Sequence, residues 1–239
     1  EGLDLDVPDE KKPGERIAFS VSAMDLTLGA YVNGIPTDID YTGEGVKFAI
    51  PADSKEEAFV MLQALGYSAL DVSYALKGKW DEAKQTIAID DLTISGAGMG
   101  SVKMTGLIGN ATQMLFNDDP QAVQAGALFM TAKSVTLEVV DEGLAPKALA
   151  MAAQMQGKTP EEFKTEIANM AGGMAMMMLK GAPEAKALAD AIGQFVNGAP
   201  KLSVELTAKS PKGVGALDLP ALQKDPSELT KKVTIKASN

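Results

Sequence analysis

Alternation of apolar and polar residues dominates the first half of the chain. From residue 16 onward, apolar residues recur at every second position, which is typical of strands with one buried face. The phase of the alternation slips by one residue at Ala23-Met24, and such a slip predicts a β-bulge. Asn33-Gly34 predicts a type I′ turn between two strands. The pattern therefore favours long antiparallel strands joined by tight turns.

The same alternation continues to about residue 108, interrupted at a few points. The run Gly43-Glu-Gly45 is expected to be a turn between two strands. Ser54 and Glu57 have the spacing of a capping box, which predicts a helix beginning at Ser54. The glycines at 96, 98 and 100 predict a further hairpin turn. Residues 16–108 are thus expected to form a meander with one helix.

The second half of the chain changes to a helical period. After a predicted short helix near 120–129 and a strand over Ser134–Val140, three helices are expected over about residues 144–197. Thr159 and Glu162 form a second capping-box pattern, with proline at the first helical position. Two more strands follow at 202–208 and 233–235. These elements predict an α+β fold, in which a curved, long-stranded antiparallel sheet packs against the helices of 144–197.

The strands that follow the helices favour a single domain. Residues 1–15 are charged and contain two prolines and two glycines, so they are expected to form a flexible linker or tail. Residues 16–239 are then one α+β domain, with a sub-division into a β-rich half, 16–117, and a helix-rich half, 118–239, as the alternative. The chain begins at Glu1 without an initiator methionine, which indicates a processed or trimmed product.

Composition narrows the function classes. The chain has no cysteine and no histidine, which removes the thiol nucleophile and the commonest general base. No spacing of carboxylates or lysines singles out a catalytic group, so the sequence indicates a protein that is not an enzyme. The net charge is −10, and Lys11-Lys12 and Lys231-Lys232 are the only adjacent basic pairs, which argues against nucleic acid as a partner. No cofactor is expected.

Methionine is the one unusual component. Seven of the 13 methionines lie between Met151 and Met178. Three interpretations stay open: core packing, the lining of an apolar ligand site, or Cu(I) binding through thioethers. The candidate apolar lining consists of Met151, Met155, Phe163, Ile167, Met170, Met174, Met177 and Met178.

The pattern of predicted strands and helices over residues 85–210 resembles that of a group of bacterial envelope proteins. An alternating strand ends in Asp141-Glu-Gly-Leu144, a helix runs to Gly157, and a third helix ends in Gln194-Phe-Val-Asn-Gly-Ala-Pro200 before the strand that opens with Lys201-Leu-Ser-Val204. This order is similar to that of AsmA-like and YdgA-like chains. The resemblance implies export to the periplasm or cell envelope and a sheet that can hold lipid.

These observations lead to two functional expectations. The first is a non-enzymatic bacterial envelope protein that binds a lipid or another apolar ligand between the sheet and the methionine-rich helices. The alternative is a structural or interaction subunit of a larger envelope assembly, which has an envelope protein as partner and no small-molecule ligand.

Overall fold

In the described part of the chain, eleven antiparallel strands form one curved, open sheet. The computed structural model describes residues 2–8 and 16–239 of the chain. The sheet and the helices together define an α+β fold, as the sequence predicts. The strands are β1 Leu3–Pro8, β2 Arg16–Val21, β3 Ala23–Val32, β4 Ile35–Ala49, β5 Ala69–Asp81, β6 Thr86–Gly96, β7 Gly100–Gly109, β8 Thr131–Asp141, β9 Lys201–Ala208, β10 Val214–Gly215 and β11 Val233–Ser238.

Seven α-helices occur in the described part of the chain. One of them comes just before β8, and three lie between β8 and β9. The seven helices are α1 Glu57–Ala64, α2 Pro120–Leu128, α3 Leu144–Met155, α4 Pro160–Met178, α5 Pro183–Val196, α6 Leu219–Lys224 and α7 Leu229–Lys232. Helices α3, α4 and α5 match the three helices expected over about residues 144–197. Thr159 and Glu162 form the predicted capping box at the start of α4.

The strand order is a meander with two additions. The main path is β1-β2-β4-β5-β6-β7-β8-β9-β11, while β3 pairs with β4 and β10 pairs with β8. Strands β2 and β3 therefore lie one after the other along β4, separated at Ser22. Asn33 and Gly34, which join β3 to β4, both have positive φ, at 50° and 78°. These values confirm the predicted type I′ turn.

The predicted slip at Ala23-Met24 lies next to the break between β2 and β3 at Ser22, but the register of β2 and β3 with β4 does not shift there. Opposite Ser22, the β4–β5 register shifts between Gly43 and Val46, and the Ser22 amide donates to the carbonyls of both Glu44 and Gly45. The pairing of β6 with both neighbours shifts around Asp90. Each irregularity lets the apolar side chains on both sides of it keep to the same face of the sheet.

That shared face is apolar across most of the sheet. Tyr41, Leu76, Leu92, Met104 and Leu137 are neighbours on successive strands. A second row lies two residues along and contains Tyr74, Ile94, Val102, Val139 and Leu202. Because residues two apart on a strand point to the same side, both rows belong to one face, which is named the apolar face below.

The opposite face of the same strands is charged. Lys77 binds Asp40 at 3.0 Å between nitrogen and oxygen, and Lys103 binds Asp91 at 3.1 Å. Lys236 and Glu205 form another pair on β11 and β9, at 3.5 Å. This face is therefore suited to water, whereas the apolar face needs a cover.

Helical segments form buried clusters with the apolar face at two places. Leu179 and Ala185, from the ends of α4 and α5, pack with Val233 and Ile235 of β11. At the other place, the 3-10 turn Gln113–Phe116 puts Phe116 against Trp80 of β5, and the indole N–H of Trp80 donates to the Ala111 carbonyl at 2.6 Å. The central strands between these two covers have no comparable packing cluster among the described residues.

The predicted linker is wrong over residues 3–8. Leu3–Pro8 form β1, and each of its six residues is opposite a residue of β2. The short alternation of Leu3, Leu5 and Val7 is a strand pattern, and pairing with β2 satisfies the backbone groups on the side of β1 that faces β2. The remaining predicted linker residues 1 and 9–15 lie outside the described residues.

Two local predictions in the first half are also wrong. Gly43-Glu-Gly45 is part of the single strand β4, not a turn, because the ring of Tyr74 occupies the space beside Gly43 and Gly45 takes a φ of 58° in the bulge. The first helix begins at Glu57, not at Ser54. The Ser54 hydroxyl accepts from the Glu56 amide, so Ser54 belongs to the turn before the helix.

Candidate functional site

The uncovered part of the apolar face is the most unusual surface of the molecule. Large side chains on five of its strands are at least 40% exposed, with Ile94 at 57%. Among them are Leu26, Leu76, Leu92, Ile94, Val102 and Leu137. A contiguous apolar surface of this kind on a folded domain marks a ligand site or a protein interface.

An apolar cavity of about 440 Å³ lies at one end of this surface. Its floor comes from the ends of β5 to β8, and its other side comes from the start of α3 and from Phe195 of α5. The large apolar side chains that line it are Val72, Ile94, Met99, Val102, Val139, Leu144 and Phe195. The cavity therefore joins the exposed sheet surface to the helices of the second half.

The junction between β8 and α3 fixes one wall of the cavity. The Asp141 carboxylate accepts from the Ala145 amide at 2.7 Å, so the last residue of β8 binds the first turn of α3. Gly100 lies opposite Asp141 at φ 124°, and a Cβ there would come within 2.0 Å of the Val140 carbonyl oxygen. Only glycine permits this close approach, which brings Leu144 over the sheet.

A tyrosine and a lysine lie beside this junction. The Tyr67 hydroxyl donates to the Gly98 carbonyl at 2.9 Å, and the Lys147 ammonium lies 4.2 Å from the centre of the Tyr67 ring. The cation–π contact ties the exposed side of α3 to the loop after α1. It also puts a positive charge next to cavity residues Ala145 and Ala148 of the same helix.

The sequence-predicted lining residues do not lie around this cavity. Phe163 is buried, while Met151 and Ile167 are half-buried. The other five are exposed, with Met155 at 82% and Met177 at 73%; they are Met155, Met170, Met174, Met177 and Met178. Core packing therefore does not account for these five methionines. Their role in ligand binding stays a prediction.

A second cavity lies between α4 and α5. It measures about 520 Å³, and small residues of the two helices line much of it, among them Gly172, Gly173, Ala189 and Gly193. The Cβ of Ala189 would be 3.5 Å from a Cβ at Gly172, so these small residues allow the two helices to approach closely. The rest of its lining includes four polar side chains, which are Asn169, Asp190, Gln194 and Asn197.

The third cavity, of about 730 Å³, is lined by several lysines. It lies at the opposite end of β8 from the apolar cavity, between the start of β8 and the segment after β9. Its charged side chains are Lys209, Lys212, Asp218, Lys231 and Lys232. Sequence reasoning missed this cluster, and its one signal was the adjacent pair Lys231-Lys232.

Asp218 is the acidic member of this lysine-lined cavity. The Lys232 ammonium donates to its carboxylate at 2.8 Å, and the Gly215 amide donates to it at 2.9 Å. These two hydrogen bonds lower the pKa of Asp218 below its ordinary value, and the one from Lys232 has the larger effect. The carboxylate is therefore charged at neutral pH and holds Lys232 at the cavity wall.

Two further features bear on cofactors and membranes. Within the described residues, no three acidic side chains lie close enough together to hold a metal ion. Over residues 2–8 and 16–239, no helix has the length and hydropathy needed to cross a lipid bilayer.

Fold and site together define an α+β protein with an open antiparallel sheet and a partly uncovered apolar face. A family model described as "uncharacterized protein" matches residues 93–239, which is more than half of the chain, and the chain belongs to that family. Comparisons with curated proteins and with solved structures found no match. The matched segment contains α3, α5, β7 and β8, which all contribute to the apolar cavity.

Proposed function

We propose that this protein is a non-enzymatic binding protein that holds a lipid chain or another apolar ligand on the exposed part of the apolar face. The observation that carries the proposal is the continuity of exposed Leu76, Leu92, Ile94 and Val102 with the apolar cavity under α3 and α5. An extended apolar chain lying along these strands would enter the cavity at its end.

Burial supplies the driving force for such binding. Removing apolar surface from water is worth roughly 25 cal/mol per Å². The side chains in question are exposed by about half, so a hydrocarbon chain can still cover much of their surface. The cavity also has Ser95 and Ser101 beside its apolar residues, which leaves room for a polar group near its mouth.

The proposal differs from the sequence expectation in its location. The ligand lies against the sheet, α3 and α5, and not against the methionine stripe of α4. As part of the same proposal, the protein works in the periplasm or cell envelope of a bacterium. This localisation rests on the resemblance to AsmA-like and YdgA-like chains and on the absence of cysteine from the sequence.

The test uses the neutral fluorescent probe N-phenyl-1-naphthylamine. We expect its fluorescence to rise on binding to the wild-type protein. Ile94→Gln puts an amide at the centre of the exposed apolar surface and is expected to weaken binding by about tenfold, as loss of one well-buried apolar contact does. Both proteins should have the same melting temperature, because Ile94 is more than half exposed.

Val60→Gln is the matched control. Val60 is an exposed apolar residue of α1, outside the apolar face and the cavity. The Val60→Gln variant should bind the probe as the wild type does. Equal probe affinity for the wild type and Ile94→Gln would remove the apolar face as the binding site. Lipid that co-purifies with the wild type, and is absent from Ile94→Gln in native mass spectrometry, would identify the natural ligand.

One observation favours the second candidate, an interaction subunit of an envelope assembly. Among the described residues, β3 pairs only with β4, so the ten-residue edge Ala23–Val32 offers free backbone groups. Met24, Leu26, Leu28 and Tyr31 on this strand are exposed, and Asp25 is its only charged residue. A free edge with a single charged residue can pair with a strand of another protein.

Sizing of the protein in native extract separates the two candidates. An interaction subunit would elute in a stable complex, and Leu28→Lys, which puts a charge on the free edge, would release it. A ligand-binding protein would elute mostly as a monomer with bound lipid, and Leu28→Lys would leave its elution unchanged.

A further inference from the structure

The lysine-lined cavity concentrates positive charge on an acidic protein. Four of its lining residues are lysines and one is an aspartate, whereas the chain as a whole has a net charge of −10. The cluster therefore creates a local positive potential at this cavity.

Two of the four lysines have no acidic partner among the described residues. Lys231 pairs with Glu228, and Lys232 pairs with Asp218. The Lys209 ammonium donates to the Thr230 carbonyl at 2.6 Å, and neither Lys209 nor Lys212 forms an ion pair within the described residues. These two ammonium groups keep donors that an incoming anion can accept from.

The loop that presents Lys212 is held firmly against β8. The Ser210 hydroxyl accepts from the Lys212 amide at 3.2 Å, and the Ser210 carbonyl accepts from the Gly213 amide at 3.0 Å. Gly213 has a φ of 80°, and a Cβ there would lie 2.7 Å from the Thr131 hydroxyl oxygen. Because this turn needs glycine and packs on β8, Lys212 is presented by a defined turn.

The same cavity also has an apolar side. Phe129 is 56% exposed and Leu217 is 72% exposed, and Leu128 is beside Phe129. Exposed large apolar residues next to unpaired lysines suit a molecule with an anionic end and an apolar end. The volume of about 730 Å³ is within the range of roughly 300–1,000 Å³ typical of small-molecule sites.

We propose that this cavity binds an amphiphilic anion, whose phosphate or carboxylate group contacts Lys209 and Lys212 and whose apolar part lies on Phe129 and Leu217. The site is at the far end of β8 from the apolar cavity. Thr131 and Asp141 are ten residues apart on this strand, which is roughly 33 Å. The inference therefore stands independently of the proposed function.

Calorimetric titration with monododecyl phosphate, below its micelle concentration, tests the site. The wild type is expected to bind it, and the double variant Lys209→Gln/Lys212→Gln is expected to bind at least about tenfold more weakly, as loss of hydrogen bonds to a charged group does. Added salt should weaken binding by the wild type, since the lysines are partly exposed. Leu217→Ser should weaken it by roughly threefold through loss of apolar contact.

Lys55→Gln/Lys84→Gln is the matched control, because it lowers the net charge by the same amount at residues outside the cavity. It should bind as the wild type does. Equal affinity of all three proteins would overturn the site, and equal loss in both double variants would show that only net charge matters and would also overturn it. Ile94→Gln should leave this binding unchanged, which separates it from the apolar face.

Two further ligands separate the sources of the anion. Inorganic phosphate alone should bind at least about tenfold more weakly than monododecyl phosphate, because it lacks the apolar part. Dodecyl maltoside, which has the same chain and no charge, should not bind at the cavity. If inorganic phosphate binds as tightly as monododecyl phosphate, the proposal of an amphiphilic ligand is wrong and the cavity is a site for free phosphate.

Discussion

Asp225 links the end of α4 to the C-terminal segment. The Lys180 ammonium donates to its carboxylate at 2.6 Å, and both the hydroxyl and the amide of Ser227 donate to it as well. These contacts lower the pKa of Asp225 to about 2, and the hydrogen bond from Lys180 has the largest effect. A carboxylate whose pKa is lower in the folded state stabilises the protein above the unfolded-state pKa, which is roughly 4.

Acid should therefore remove this contribution between pH 4 and pH 2. We expect Asp225→Asn to be less stable than the wild type at pH 7, and the difference to disappear as pH falls to 2. Urea unfolding at several pH values measures this. Asp190→Asn, which removes the ion pair of α5 with Lys186, is the control. The assignment to Asp225 fails if both variants lose stability with the same pH dependence.

At Thr112, in contrast, a substitution is expected to stabilise the protein. The Thr112 hydroxyl oxygen is buried and has no hydrogen-bond partner among the residues that the structure describes. A buried hydroxyl without a partner costs free energy that an apolar group of the same shape does not. Thr112→Val is expected to raise the free energy of unfolding by about 1 kcal/mol, measured by urea titration. Thr37→Val, at a hydroxyl that donates to the Ala30 carbonyl, should give no such gain.

At the scale of single elements, the two capping-box patterns had different outcomes. Thr159 accepts from the Glu162 amide, and Glu162 accepts from the Thr159 amide, as the sequence predicts. Ser54 has the same spacing to Glu57, yet its amide donates to the Pro51 carbonyl and its hydroxyl accepts from the Glu56 amide. A local turn competes with the helix there, which the spacing alone does not show.

This difference predicts unequal effects of removing the hydroxyls. Thr159→Ala should lower the free energy of unfolding by about 1 kcal/mol, the usual cost of losing a helix cap. Ser54→Ala should cost clearly less, because no helix begins at that residue. Thermal unfolding of both variants measures the difference, and equal losses would contradict it.

Strands and turns were largely predictable because their signals are local, but the candidate site was not. The turn at Asn33-Gly34, for example, depends on two adjacent residues. Which apolar strands remain uncovered depends instead on where α5 packs, and it packs on β9 and β11 rather than over Leu92. The methionine pattern did not predict exposure, because a helical stripe has the same spacing whether it faces a core or water.

The whole molecule is built on one hydrogen-bonded sheet. Strands of both halves of the chain belong to it, and β7 pairs with β8 along its full length. Residues 16–117 therefore share continuous backbone pairing with residues 118–239. A sheet of this kind is expected to unfold cooperatively, because separating the halves breaks the ladder between β7 and β8.

Two optical signals test this cooperativity. Trp80 is the single tryptophan and is buried against Ala111 and Phe116, so its fluorescence follows the first half. Far-UV circular dichroism at 222 nm mainly follows α3, α4 and α5. Both signals should give the same urea midpoint. Separate midpoints would show that the two halves unfold as distinct units.

The exposed methionines of the helical segment have a chemical consequence. Met155 and Met177 present most of their surface to water, so an oxidant can reach their sulfur atoms while the protein is folded. Conversion to methionine sulfoxide would turn an apolar helix surface polar, and reductases can reverse that change. Because these side chains contribute little to the core, peroxide should add oxygen to them with little loss of stability. The methionines on this helical surface are thus expected to be oxidised before the buried residues are.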